Sequence, residues 1–140
     1  MTQTATSEIQ TAASEKLVPN NVLDATLASL SVTGVFDDRA VPENQPFDYL
    51  TIGDTIEKPN NTLGRRGYNN AFTIHIWSRA IGNKNAQAIL ARLNQLFDQQ
   101  RLNMATQAHV STMLDSAPFM PQPDGLTLHV PVRYMIYSEE

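Results

Sequence analysis

Ala71-Phe72-Thr73-Ile74-His75-Ile76-Trp77-Ser78-Arg79, followed through Ile81-Gly82-Asn83 by the run to Phe97, decides the fold. Phe72, Ile74 and Ile76 alternate with Thr73, His75 and Trp77, the period of two that marks a strand with one strongly apolar face. Beyond the glycine, Ala86, Ile89, Leu90, Leu93, Leu96 and Phe97 recur at helical spacing, while Gln87, Arg92, Asn94, Gln95 and Asp98 lie between them. A strand followed at once by an amphipathic helix buries both apolar faces when the helix folds back on the sheet.

Upstream, residues 1–19 are rich in Thr, Ser, Ala and Gln. Ser7 to Gln10 has the form of a capping box, and Ile9, Ala12, Ala13 and Leu17 make a thin apolar stripe. A helix so short and weakly apolar is marginal alone. The segment reads as an arm that orders against a neighbour, or as a frayed terminus. Pro19 ends it. Asn20 or Asn21 is placed to cap a second helix with Leu23, Leu27 and Leu30 on its buried face, stopping at Gly34. Val35-Phe36-Asp37 is extended, and Phe47 to Ile52 alternates as a strand. Residues 55–70, with Pro59, Gly64 and Gly67, read as a long loop that carries Lys58, Arg65 and Arg66.

After the helix, Val110, Thr112 and Leu114 alternate, Ser116–Asp124 with three prolines reads as a loop, and Asp124-Gly125 opens a last strand. On that strand Leu126, Leu128, Val130, Val132, Tyr134 and Ile136 share a face. Pro131 cannot donate to a ladder, so it marks an edge, a bulge or an interruption. The expectation is an α+β domain over residues 20–140. It has a single sheet of about four mostly antiparallel strands with helices packed on one face, plus the long loop and the arm 1–19.

At 140 residues one domain is the default. The charged fraction of 17% is below the ~25% usual for soluble domains, which is consistent with surface buried against protein partners. A net charge of −4 gives no whole-chain attraction to polyanions, and the absence of cysteine removes disulfides and thiolate chemistry. No apolar run reaches the ~18 residues of a membrane span, and no signal peptide is visible.

Catalytic patterns are sparse. His75, His109 and His129 lie on strands in the polar phase, and a three-histidine metal site would need those strands to be neighbours. There is no nucleophile elbow, and Gly64-Arg65-Arg66-Gly67 lacks the ending of a phosphate loop. Trp77 lies opposite the apolar phase, so a helix or a neighbouring subunit covers it, or it is an exposed anchor. The basic loop is either solvated or a phosphate contact.

Taken in order, three segments resemble the tail completion proteins of long-tailed bacteriophages, also called tail terminators or tail-to-head joining proteins. They are Val35-Phe36-Asp37 leading to Pro46–Asp54, then Phe72–Arg79 with its helix, then Asp124–Tyr134. The resemblance covers residues 20–137. It implies a non-enzymatic virion protein without cofactor or metal. Such a protein forms a ring, expected to be a hexamer, at the head-proximal end of the tail tube. It ends tube polymerisation and joins the tail to a head connector or stopper, with DNA passing through the lumen unread. It implies the neck of the virion as location, and the host cytoplasm during assembly. On that reading the arm Thr2–Val18 and the loop Lys58–Tyr68 meet partners, and Lys58, Arg65, Arg66, Tyr68, Trp77 and Arg79 are the interface candidates. The rival reading is a small metal- or ligand-binding module, a hydrolase being one form, that uses the strand histidines. A third is an interaction domain that only oligomerises.

Overall fold

The computed structural model describes residues 5–19, 22–30, 32–37, 41–59, 67–79, 84–100 and 108–139. The elements are α1 (Ala5–Leu17), α2 (Ala25–Ser29), β1 (Val35–Asp37), β2 (Tyr49–Pro59), β3 (Gly67–Ser78), α3 (Lys84–Phe97), β4 (Ala108–Ser116), β5 (Met120–Pro121) and β6 (Leu128–Glu139). They build one sheet of six strands in the order β1-β2-β3-β6-β4, with β5 on β6. Among the described residues only β1 and β2 run parallel, and the other pairings are antiparallel.

The α+β class follows the alternating strands and the amphipathic helix. The expected count of four strands is too low. β1 and β5, of three and two residues, are too short to show a period, and pairing with longer neighbours defines them.

Phe72, Ile74 and Ile76 of β3, Val130, Val132 and Tyr134 of β6, and Leu50 and Ile52 of β2 face one way. Ala86, Ile89, Leu93 and Phe97 of α3 pack on them in a single core cluster. The Phe97 ring lies 6.2 Å from Phe72 and 5.5 Å from Tyr134. Tyr134 keeps its hydroxyl satisfied by donating to Asn94 Oδ1 at 2.8 Å.

The segment expected to be an arm forms α1, and Ile9, Ala12, Ala13 and Leu17 are buried in that same cluster. The thin stripe is too weak to hold a helix in water, but its two alanines let α1 lie close on β2 and β3. Both long helices therefore cover the same face.

Residues 55–70 also depart from the expected long loop. β2 runs on to Pro59 and β3 begins at Gly67, with Glu57 opposite Asn70 and Lys58 opposite Asn69. These residues pair through the backbone, so their polar side chains gave no apolar signal. Residues 60–66, with Arg65 and Arg66, lie outside the described residues.

Asp24, expected inside the second helix, is its N-cap, accepting from Leu27 N–H at 3.2 Å. The same carboxylate takes Arg92 Nε at 3.0 Å and Nη2 at 2.8 Å, clamping α2 to α3. That guanidinium holds the Asp24 carboxyl below the usual carboxylate range. Pro131 marks an interruption: β6 pairs β4 as far as Arg133 and β5 from His129, leaving Pro131 opposite the connection between them.

Candidate assembly surface

The helices leave the other face of the sheet uncovered among the described residues. Directly paired residues share a face, so the register lays that surface out in rows. At one end Tyr49, Trp77, His129 and Met120 line up. Then come Thr51, His75 and Pro131, followed by Thr73 and Arg133. Next is an apolar row, Ile56-Ala71-Met135-Met113, crossing four strands. Lys58, Asn69, Tyr137 and Ser111 make the row beyond it.

In the apolar row Ile56 is 53% exposed, Met113 58% and Met135 37%. At ~4.8 Å between strands it is roughly 14 Å long. Neighbouring exposed apolar side chains of this kind mark contact surfaces more often than isolated ones do. Sequence reasoning missed them, although a signal existed: Met113 and Met135 are apolar residues in the polar phase of their strands.

The sheet edges are unequal. At the β4 edge, the Leu114 N–H donates to Asp98 Oδ1 at 2.8 Å and the Thr112 carbonyl accepts from Gln99 N–H at 2.8 Å. The end of α3 thus occupies the outward backbone groups that another strand would need. The opposite edge is the three-residue β1.

Near the Trp77 end, Asp48 is buried and joins three elements. Its carboxylate accepts from the Arg79 N–H at 2.9 Å and from Asn85 Nδ2 at the start of α3. Arg79 lays its guanidinium 4.2 Å over the Phe47 ring, donates from Nε to Thr127 Oγ1 at 3.1 Å and approaches Asp124 at 3.8 Å. Backbone N–H groups of Thr127 and Leu126 hold the Asp124 carboxyl below its usual range. Arg79, Phe47, Tyr49 and the prolines 42 and 46 border an open pocket of about 600 Å³.

The sequence-named interface residues do not form one patch. Trp77 and Lys58 share the uncovered face but lie at opposite ends of it, roughly 25 Å apart along β3. Tyr68, in phase with Phe72, is on the helix-covered side. Arg79 is exposed just past β3, and Arg65 and Arg66 are outside the described residues. Trp77 is half-buried: its ring stacks on His129 at 4.0 Å, and Nε1 donates to Thr51 Oγ1 at 3.1 Å.

The three-histidine site is corrected. His75 and His129 are in contact, with Nδ1 and Nε2 2.7 Å apart. His109 pairs with Ser138 at the far end of β6, roughly 30 Å away at ~3.3 Å per residue. Alternation along strands put all three in one phase, but the register separates the third.

A sequence model of the family described as tail completion protein gp17 matches residues 16–139. The chain belongs to this family. It is a structural protein of phage tails. Among solved structures, a chain of the virion of a native gene transfer agent particle has the same fold. Its TM-score is 0.83 at 21% identity, with 99% of this chain and 100% of that chain covered. The gp17 protein of bacteriophage SPP1 aligns at TM-score 0.60 and 22% identity, covering 94% of this chain and 89% of that one. No curated protein matches.

Proposed function

We propose that this tail completion protein closes the head-proximal end of the tail tube as a six-membered ring, stops tube growth and joins the tail to the head connector. DNA crosses the lumen without sequence recognition. The protein acts in the neck of the virion, is assembled in the host cytoplasm, and catalyses nothing. Family membership supports the tail role, and likeness to a chain of a virion particle supports a place in the particle.

The observation that carries the assembly reading is the apolar row Ile56-Ala71-Met135-Met113 on an otherwise uncovered face. A closed ring needs a head-to-tail contact between two different surfaces of each copy. With the outward groups at Thr112 and Leu114 already engaged, strand addition at β4 is disfavoured, and the sheet face supplies one of those surfaces. Lys58, Trp77 and Arg79 on or beside this face are its polar and aromatic contributors. Arg65, Arg66, Tyr68 and the N-terminal segment are proposed to meet the tube or the connector.

The test is light scattering with negative-stain imaging of the full chain, alone and mixed with tail tubes. Rings of six, or tubes capped at one end, are expected. Met135→Glu, which changes an exposed side chain, is expected to abolish both while leaving the thermal midpoint near that of the parent. Unchanged rings and caps in that variant would refute the sheet face as a contact. Tubes left uncapped by the unmodified protein would refute the terminator role.

A further inference from the structure

The Trp77 corner of the uncovered face contains a device that tube closure does not require. His75 Nδ1 and His129 Nε2 are 2.7 Å apart, while their ring centroids are 4.9 Å apart. That separation is too long for face-to-face contact, so the imidazoles meet nitrogen to nitrogen. The bond needs one N–H and one lone pair. The opposite face of His129 is occupied by Trp77, parallel at 4.0 Å, and Trp77 is anchored by Thr51 Oγ1. Space for His75 comes from Gly53 on β2: a Cβ there would lie 2.5 Å from His75 Nε2 and 3.2 Å from the Thr73 carbonyl oxygen.

We propose that His75 and His129 form a proton-operated switch that sets the shape and charge of the sheet surface around Trp77. With no added proton, one ring donates to the other. One added proton gives an imidazolium donating to an imidazole, a stronger, charge-assisted bond. A second proton puts hydrogens on both facing nitrogens. The acceptor is gone, and two cations stand across one strand spacing. The pair then separates, and His129 no longer holds its place against Trp77.

Among the described residues, the charged and titratable groups facing the pair favour this order of events. On β6, Arg133 lies two residues beyond Pro131 and adds positive charge, partly offset by Asp115 of β4 at 3.5 Å. From β2 comes Tyr49, opposite Trp77, and from β5 the uncharged Met120, opposite His129. Arg79 and Asp124, 3.8 Å apart, lie past the strand end. The second proton enters against the charge of the first, so opening follows the more acidic of the two steps. The inference stands on the side-chain geometry alone and does not depend on ring formation.

Trp77 is the chain's only tryptophan, so its emission reads this corner without labelling. The experiment is an emission titration of the full chain from neutral to acidic pH, with histidine-ring nitrogen NMR on the same samples. In the unmodified protein the two protons are expected to enter the pair more than about 1 pH unit apart, with Trp77 emission following the second. In His75→Gln the emission step is expected to move to higher pH, because no second cation then opposes the proton on His129. In His129→Gln the step is expected to vanish, leaving only the red shift of acid unfolding. Two histidines entering together in the unmodified protein would overturn the proposal, and that measurement needs no variant. So would an unmoved step in His75→Gln, or a step retained in His129→Gln.

Discussion

Replacing Leu17 by Ala tests whether the first helix belongs to the fold. Leu17 has 0% exposure and sits in the core cluster with Ile9, at the other end of α1. Removing its γ-carbon and two δ-methyls forfeits about 2.4 kcal/mol at ~0.8 kcal/mol per buried group. The cavity left under a helix packed on β2 and β3 raises this towards the 2–5 kcal/mol typical of such changes, so about 3 kcal/mol is expected. With an unfolding entropy near 2.1 cal/mol/K per residue, a chain of this length has roughly 0.3 kcal/mol/K in all, and the midpoint should fall by about 10 °C. Ile9→Ala lies about 12 Å away along the helix at 1.5 Å per residue, so its similar cost should add nearly in full. Ser14→Ala, exposed on the same helix, should stay within about 0.5 kcal/mol. Urea unfolding followed by circular dichroism provides the values. A loss under 1 kcal/mol for Leu17→Ala and Ile9→Ala alike would refute the packing argument and return residues 5–17 to the status of an arm.

Three further outcomes follow from other residues. Asp24→Asn keeps a cap but loses the paired charge, and should cost about 1–3 kcal/mol at neutral pH. Because the folded Asp24 carboxyl lies below its unfolded value, its contribution is full above pH ~4 and is lost as pH falls through the folded value. The stability gap between parent and variant should therefore close on acidification in urea titrations, and a gap constant to pH 2.5 would contradict this. Tyr134→Phe removes the hydroxyl that donates to Asn94 and should cost about 1 kcal/mol, read as a lower urea midpoint at unchanged slope. Asn70 is fully buried on β3 and, among the described residues, neither of its amide atoms has a partner, so Asn70→Val should raise stability by about 1–2 kcal/mol; a fall in the midpoint would mean that the amide has a partner.

Some of this protein was legible because local physics repeats along the chain. The period of two through Phe72, Ile74 and Ile76 and the helical spacing from Ala86 to Phe97 are set by backbone geometry, so β3, α3 and the apolar face between them could be read directly. Ordered segments over most of the chain were enough to indicate the tail completion family. The tertiary structure decided what depends on pairing between distant segments. Whether Ile9 and Leu17 are buried depends on β2 and β3, the first of which begins more than thirty residues later. Residues 55–59 and 67–70, which show no apolar alternation, become strands by pairing with each other. The β-sheet register also separates His109 from His75 while bringing His129 to 2.7 Å from it, and gathers Ile56, Met135 and Met113 into one row. Alternation gives the face on which a strand residue points only until a bulge resets it, as between Ile52 and Thr55, and its neighbour across the sheet is set only when the strands pair.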